Sequence, residues 1–503
     1  MDIKQFFELF NQGKMEELIN GDAINQLLGD EKIEGALLRA YCILEQDLDS
    51  KPYEDIIAQT IADYPYNTPL QIIARLHNAA RLGWLKGKYM EGAEELAEVD
   101  NLLETLPQKA RKKLGGYETW LWHLRGVMYQ ETEPEKALQM FRKGLSFIDL
   151  YPDMYFKTLK PGILNHIGLI HMNQGKYNLA LKYFQQSITA GENIGNESIQ
   201  SIPLLNISVI HYLLGGVDQS LRLAQRNLEI AQKHKFGRVI AEGYGLLGAL
   251  YQNRGQLEPA LEHYLHALKE VKRLGLIYSI TLTLYRLVTV HLELKEQTKA
   301  KEYLEELRTI FKDSPTGNIR TFCLLAEAMF LKEASRRFRE KVKAQDILRE
   351  IVDDRQTTYY YRLLAMLHLC ELLILELKVL EDESLMEEVG NIIEEVYKVA
   401  QTLNITPIII EILILQTKFA FIKGQGDKGE DLLNQALLLA QTSGLTNYET
   451  RVVNEQQSLQ NEYSKWIELI SQNVSLREKI EQANVQDYLK EAIKINNLYQ
   501  RNA

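Results

Sequence analysis

Three histidines, His171, His211 and His291, share one slot of a forty-residue pattern, and Tyr251 fills that slot in the copy between the last two. Imidazole ligates zinc and titrates near neutral pH, so a metal centre is the first chemistry to weigh. Distance argues against it. Zinc holds each ligand at about 2 Å, whereas neighbouring packed helices have axes about 8–10 Å apart. A repeated slot spreads its residues along the chain, and aromatic packing is the role expected for these histidines. His263 and His266, three apart on one helix, make half a metal site with no third His or Cys close in sequence. The three cysteines, Cys42, Cys323 and Cys370, are isolated in apolar helical contexts and read as core residues, matching neither a disulfide framework nor a zinc site. No glycine-rich phosphate loop, nucleophile elbow or paired Cys motif occurs. No catalytic residue, metal ligand or cofactor is therefore expected, and the chain reads as a protein that is not an enzyme.

The elements that hold the slot repeat with it. Leu164, Ile167, Gly168 and His171, then Gly175, Ala180, Leu181 and Phe184, become Leu204, Ile207, Ser208, His211, Gly215, Ser220, Leu221 and Ala224 forty residues on. Two further steps give Tyr244, Leu247, Gly248, Tyr251, Gly255, Ala260, Leu261 and Tyr264, and then Leu284, Leu287, Val288, His291, Lys295, Ala300, Lys301 and Leu304. Apolar residues three and four apart share one face of a helix, so each copy holds two helices, with Gly175 suited by its tolerance of positive φ to end the first. Small residues let the axes approach, Gly168 being expected to face Ala180. A helix pair this thin must stack on its neighbours to bury its apolar face.

This pattern resembles the tetratricopeptide repeat family, whose signature runs W-x2-L-G-x2-Y, then A-x3-F and a proline. Leu164 stands where that family often has Trp and His171 where it has Tyr, with Ala180 and Phe184 in the second half; the closing proline is mostly absent. The copy with Trp122, Gly126, Tyr129, Ala137 and Phe141 follows the signature most closely, Pro134 starting its second helix. Forty residues exceed the usual 34 or so, as in the longer-repeat branch that includes kinesin light chains and bacterial signalling receptors. The resemblance implies an all-α, right-handed α-solenoid of stacked helix-turn-helix repeats followed by a C-terminal amphipathic helical tail.

Along the chain, residues 1–445 read as the tetratricopeptide-like array, clearest over 70–442. Residues 1–64 give faint pairs, with Gly13 between Phe6-Phe7-Leu9-Phe10 and Met15-Leu18-Ile19. Leu76, Ala80, Gly87, Tyr89, Gly92 and Leu96 begin the clear copies, and Lys109–Gly116 reads as a basic loop ending in glycine. After Leu307 the spacing loosens: Ala328 and Ala344 are sixteen apart where the central copies have twelve, the insert carrying Arg336, Arg337, Arg339 and Lys341. A solvated face is the simplest use of that basic run. The apolar stretches Leu363–Leu380 and Ile405–Ile422 hold Glu371, Glu376, Lys378, Glu411 and Lys418, costly in hydrocarbon, so they read as buried helices and no membrane span is expected. From Thr446 the repeat stops, and Val452, Leu459, Tyr463, Trp466, Ile470, Leu476 and Ile480 suit one long amphipathic helix or a pair, over 446–503, acting as a helical cap or coiled-coil segment that could self-associate.

The net charge of −10 favours solubility and points away from nucleic acid; the acidic N-terminus is no signal peptide, and a cytoplasmic location is expected. The resemblance implies that the first helix of each pair lines a concave groove. There the partner-facing residues would be Asn165, Leu169 and Met172, then Leu205, Val209 and Tyr212, then Gly245, Ala249 and Gln252, and then Tyr285, Thr289 and Leu292. That lining is apolar and aromatic, and it lacks the paired Lys and Asn residues with which some relatives clamp acidic chaperone tails. The expected function is a non-enzymatic protein-protein interaction scaffold binding a hydrophobic or amphipathic protein or peptide segment, the chain's own tail being one candidate. The alternative is a regulatory sensor in which a bound ligand or peptide changes the superhelix and the C-terminal helix transmits it.

Overall fold

The structure is a computed structural model that describes residues 3–12, 14, 17–18, 27, 29–47, 50–85, 89–130, 133–150, 157–214, 216–313, 317–334, 338–354, 357, 359–380, 382–471 and 474–499. Among these, every regular element is helical and none is a strand. The chain runs α1 (Ile3–Asn11), α2 (Gly29–Asp47), α3 (Ser50–Asp63), α4 (Thr68–Ala80), a π turn (Arg81–Leu85), α5 (Tyr89–Thr105), α6 (Gln108–Lys113), α7 (Gly115–Tyr129), α8 (Pro134–Leu150), α9 (Leu159–Asn173) and α10 (Tyr177–Asn193). Beyond a 3-10 turn (Glu197–Gln200) come α11 (Ser201–Leu213), α12 (Val217–Lys233), α13 (Gly237–Asn253), α14 (Leu257–Arg273), α15 (Ile277–Glu293), α16 (Gln297–Asp313), α17 (Gly317–Ala334) and α18 (Phe338–Asp353). The last are α19 (Tyr359–Leu380), α20 (Glu383–Thr402), α21 (Thr406–Ile422), α22 (Gly426–Thr442), α23 (Thr446–Ser471), α24 (Leu476–Ala483) and α25 (Val485–Tyr499). Two compact units divide the residues: Met1–Met172, Tyr177–Ile207 and Leu223–Ile240 in the first, Asn173–Lys176, Ser208–Arg222 and Ala241–Ala503 in the second.

The forty-residue period is a period of turns as much as of side chains. Gly175, Gly255 and Lys295 end the first helices with φ of +69°, +73° and +66°, and Gly195, Lys235 and Gly275 end the second ones at +70°, +57° and +65°. At two of these ends the next amide reaches back to the slot residue: Gln256 N donates to Tyr251 O at 2.9 Å and Glu296 N to His291 O at 2.8 Å. These are left-handed caps, for which glycine is the least costly residue, and Lys295 and Lys235 hold the same conformation without that advantage.

In the first unit, aromatic side chains of α1 and α3 (Phe6, Phe7, Tyr53) join Leu96, Leu103 and Trp120 in one core. Gly13, Met15 and Ile19 lie outside the described residues. The expected basic loop at 109–116 is instead α6 and the start of α7: Ala110 N and Arg111 N both donate to Pro107 O, closing a helical turn at once, and the glycines enter α7 rather than ending a loop. The small residues also pack differently from the expectation. An added Cβ on Gly168 would stand 2.7 Å from the ring of Phe184, not against Ala180, and one on Gly126 would stand 2.2 Å from Phe141. Ring into missing side chain is thus the interlock of these pairs.

In the second unit the same interlock joins Gly248 to the Tyr264 ring, 2.6 Å from an added Cβ, and Gly429 to Phe421 with the order reversed. Ser208 stands in the slot that holds glycine in the flanking copies, and its hydroxyl donates to Ser220 O at 2.7 Å. Ala328 and Ala344 are both fully buried. Arg339 is exposed; Arg336 and Arg337 lie outside the described residues. No helix among the described residues is long and apolar enough to cross a membrane. Instead α21 buries every residue except Gln416, and α19 is buried along most of its described length, because both pack against α25 as well as against their neighbours in sequence. A helix apolar all round needs such cover on more than one side.

The C-terminal stretch is three helices rather than one or two. Ser475 Oγ accepts from Glu478 N at 3.2 Å and starts α24, and Asn484, left-handed at φ +55°, separates α24 from α25. The S-x-x-E box and the lone Asn were readable breaks. The side chains of Tyr463, Trp466 and Ile470 lie outside the described residues.

Candidate functional site

Within the second unit, α13, α14, α15, α17, α19 and α25 enclose a cavity of about 190 Å³. Tyr264 and Tyr285 give it aromatic walls, and Ala249, Leu292, Met329 and, from α25, Ile493 give it apolar ones. Arg286 is the charge set deepest: the residue is 7% exposed, its Nη1 donates to Gly245 O at 3.3 Å, and its guanidinium lies 5.8 Å from the Tyr264 ring centre. Around it the polar groups are taken. Tyr264 donates to Gln252 Oε1 at 2.8 Å, and Gln252 Nε2 donates to Glu293 at 2.6 Å. Lys332 is held by Glu371 at 2.6 Å, which also pairs with His368 Nδ1 at 2.9 Å. Burial works against the Glu371 carboxylate, but Lys332 and the His368 hydrogen bond outweigh it and keep its pKa down at about 2. Burial, with Lys332 beside it, lowers that of His368.

The helix that closes the cavity is amphipathic. Val485, Tyr488, Leu489, Ala492, Ile495, Asn496 and Leu498 are its buried face, spaced three and four apart. Its polar fastenings are few: Asn253 Nδ2 donates to Lys494 O at 3.3 Å and Asn496 Nδ2 to Tyr360 O at 3.1 Å. At its start, Tyr488 bonds Glu455 of α23, which pairs with Lys418 of α21. Beside them Arg451 forms an ion pair with Glu411, its Nη2 donating to Oε2 at 3.0 Å. Glu411 is fully buried, and burial, with Glu491 and Glu455 near, pushes its carboxyl up to about 8 despite Arg451.

Of the twelve residues expected to face a partner, Ala249, Gln252, Tyr285, Thr289 and Leu292 line this cavity. Gly245 is buried against Arg286, Val209 is buried, and Tyr212 is half-buried near Asn253 and Glu491. The other four belong to the first unit. There Asn165 accepts from Asn206 at 3.2 Å, Met172 and Leu205 are buried, and Leu169 is half-buried. Tyr285 is only 3% exposed and packs near Phe322, so it serves as a core residue as well as a cavity wall. Sequence reading missed Arg286, Lys332, His368, Ile493 and Asn497. Arg286 had a signal, being one cation inside the apolar run Thr281–Leu292; the α25 residues had none, because their position depends on how the chain returns.

Three of the four slot residues stack, and His211 instead meets Gln219 at 3.1 Å, Leu223 standing where the other copies carry a ring. His171 stacks on Tyr183 at 5.4 Å and His291 on Tyr303 at 5.4 Å, and in the copy before His291 the partners swap, Tyr251 on His263 at 5.3 Å. Each pair is twelve residues apart, one helix onto the next. His266 stacks on Tyr244 at 4.9 Å. Among the described residues no three His, Cys, Asp or Glu are grouped to hold a metal ion. Cys323 and Cys370 are buried free thiols, and the side chain of Cys42 lies outside the described residues.

Helix pairs with a recurring turn, a ring-in-glycine interlock and a two-part slot define a tetratricopeptide-type repeat protein. The family described as "MalT-like TPR region" matches residues 162–447, more than half of the chain, and the chain belongs to it. Among solved structures, the apo form of the quorum sensor NprR from B. thuringiensis is similar at TM-score 0.51 and 14% identity, covering 72% of this chain and 99% of that one. The apo form of RapI is similar at TM-score 0.50 and 14% identity, over 74% and 98%. The regulatory protein AfsR of Streptomyces griseus is 27% identical over 161 residues, which are 31% of this chain and 15% of that protein. The chain thus spans a small part of that relative's length.

Proposed function

We propose that this chain is a cytoplasmic, non-enzymatic interaction protein whose second unit binds an amphipathic protein or peptide segment on the faces of α19 and α21, in exchange with its own helix α25. One observation carries the reading: α25 has the form of a peptide ligand, a single amphipathic helix laid over apolar helices and following a left-handed break at Asn484. The same observation favours the regulatory form of the function, because a segment that displaces α25 changes what the C-terminus presents. That NprR is a quorum sensor and AfsR a regulatory protein supports this form.

The test uses the full chain with Leu489 and Ile495, both fully buried, changed to Asp so that α25 leaves its seat. A labelled synthetic peptide of residues 476–499 should bind this variant and bind the wild type far more weakly, since the tethered helix competes at an effective concentration in the millimolar range. A variant that stays helical by circular dichroism yet does not bind the peptide would refute the exchange.

A further inference from the structure

We propose that the cavity beneath α25 is a binding site for a small carboxylate, with Arg286 as its anion partner. The Arg286 guanidinium has one side engaged, by Gly245 O and the Tyr264 face. Its other terminal nitrogen, Nη2, is buried and meets no protein acceptor among the described residues. A buried cation left so is costly unless something pairs with it, and this one borders a cavity. The neighbouring charges do not serve. Lys332 and His368 are committed to Glu371, and Glu293 receives Gln252, while Glu333 and Lys295 stand exposed at the rim. Arg286, with one terminal nitrogen buried and unpaired, therefore borders a chamber whose remaining walls are Tyr264, Tyr285, Leu292, Met329 and Ile493.

The chemistry of that chamber specifies an anion with an apolar or aromatic body. A guanidinium suits a carboxylate by shape and charge, and the volume of about 190 Å³ exceeds the ~150 Å³ of a cavity that admits benzene. The carboxylate has two chemical sources, a free small acid or the C-terminus of a bound peptide. Because Ile493 and Asn497 of α25 complete the walls, a ligand seated there also touches the helix that exchanges. That coupling rests on the function proposed above; capture of the anion by Arg286 does not.

Full-length protein is titrated calorimetrically with benzoate, with neutral benzamide, and with N-acetyl-leucyl-phenylalanine as its free acid. Benzoate binding with no benzamide binding is expected, and Arg286→Gln should weaken benzoate by about tenfold or more. Gly245→Ala, whose new Cβ would stand 3.2 Å from Arg286 Nη1, should weaken it by a smaller factor and serves if Arg286→Gln does not fold. Tighter binding of the dipeptide acid than of benzoate assigns the carboxylate to a peptide terminus, and the reverse order assigns it to a free acid. Absence of benzoate binding, equal binding of benzamide, or unchanged affinity in a folded Arg286→Gln protein would overturn the site. Each of these results is read without displacing α25, so a failed tail exchange leaves them standing.

Discussion

Helices α21 and α22 are neighbours of equal length, seventeen residues each, and they differ in how they meet water. Only Gly429, Leu433, Ala436 and Ala440 of α22 are buried, whereas α21 buries all but Gln416. One apolar stripe is what a helix needs to pack on a single layer; α21 has a second face to hide, and α23, α24 and α25 come back to hide it. The contrast separates two jobs within one pair. The second helix seals the repeat to its neighbours, and the first also offers a surface that some helix must cover.

Truncations to alanine should expose the contrast most strongly. Leu413→Ala in α21, where the side chain is 2% exposed, should cost about 2–5 kcal/mol in chemical denaturation. Leu438→Ala in α22, 62% exposed, should stay within about 0.5 kcal/mol. Similar losses at both positions would erase the distinction.

The charge on the covered face gives the next effect. Glu411 has its pKa raised to about 8, above its value in the unfolded chain. The stability it contributes is therefore fully present below the unfolded pKa and is lost as pH rises through the folded one. Glu411→Gln should remove that loss, so the stability of the variant relative to wild type should improve between pH 5 and pH 8, by on the order of 2 kcal/mol. A constant difference across that range would mean that Glu411 is ionised in the folded protein throughout.

The smallest effect is at the turns. Lys295→Gly, at φ +66°, should raise stability by up to about 1 kcal/mol, while Gly255→Lys at the matching turn should lower it by a similar amount. Opposite signs at the two positions are the signature of a shared left-handed cap.

Most of the fold was legible because each repeat writes its own rules locally. The stripe at Leu164, Ile167 and His171, the turn at Gly175 and the small slot at Gly168 are all decided within forty residues, and helix follows from them. What fills Gly168 was less legible, since a ring sixteen residues on at Phe184 competes with the nearer Ala180. The site was legible in part: Ala249, Gln252, Tyr285, Thr289 and Leu292 could be placed by register, being on one face of repeated helices. Ile493 and Asn497 reach the same cavity through a long-range return of the chain, which no local period encodes. The continuous hydrophobicity of Ile405–Ile422 did carry that information, since a helix of one stripe would have read like α22, but it does not name the cover.

Exchange of α25 with a partner segment requires α25 to leave its seat while α19 and α21 stay folded. Amide hydrogen exchange on the full-length protein reads this directly. Amides of Val485–Tyr499 are expected to exchange about tenfold or more faster than those of Thr406–Ile422, through an opening that leaves α21 protected. Equal protection in the two helices, released only when the whole unit unfolds, would make α25 a permanent part of the core and contradict its role as an exchangeable occupant.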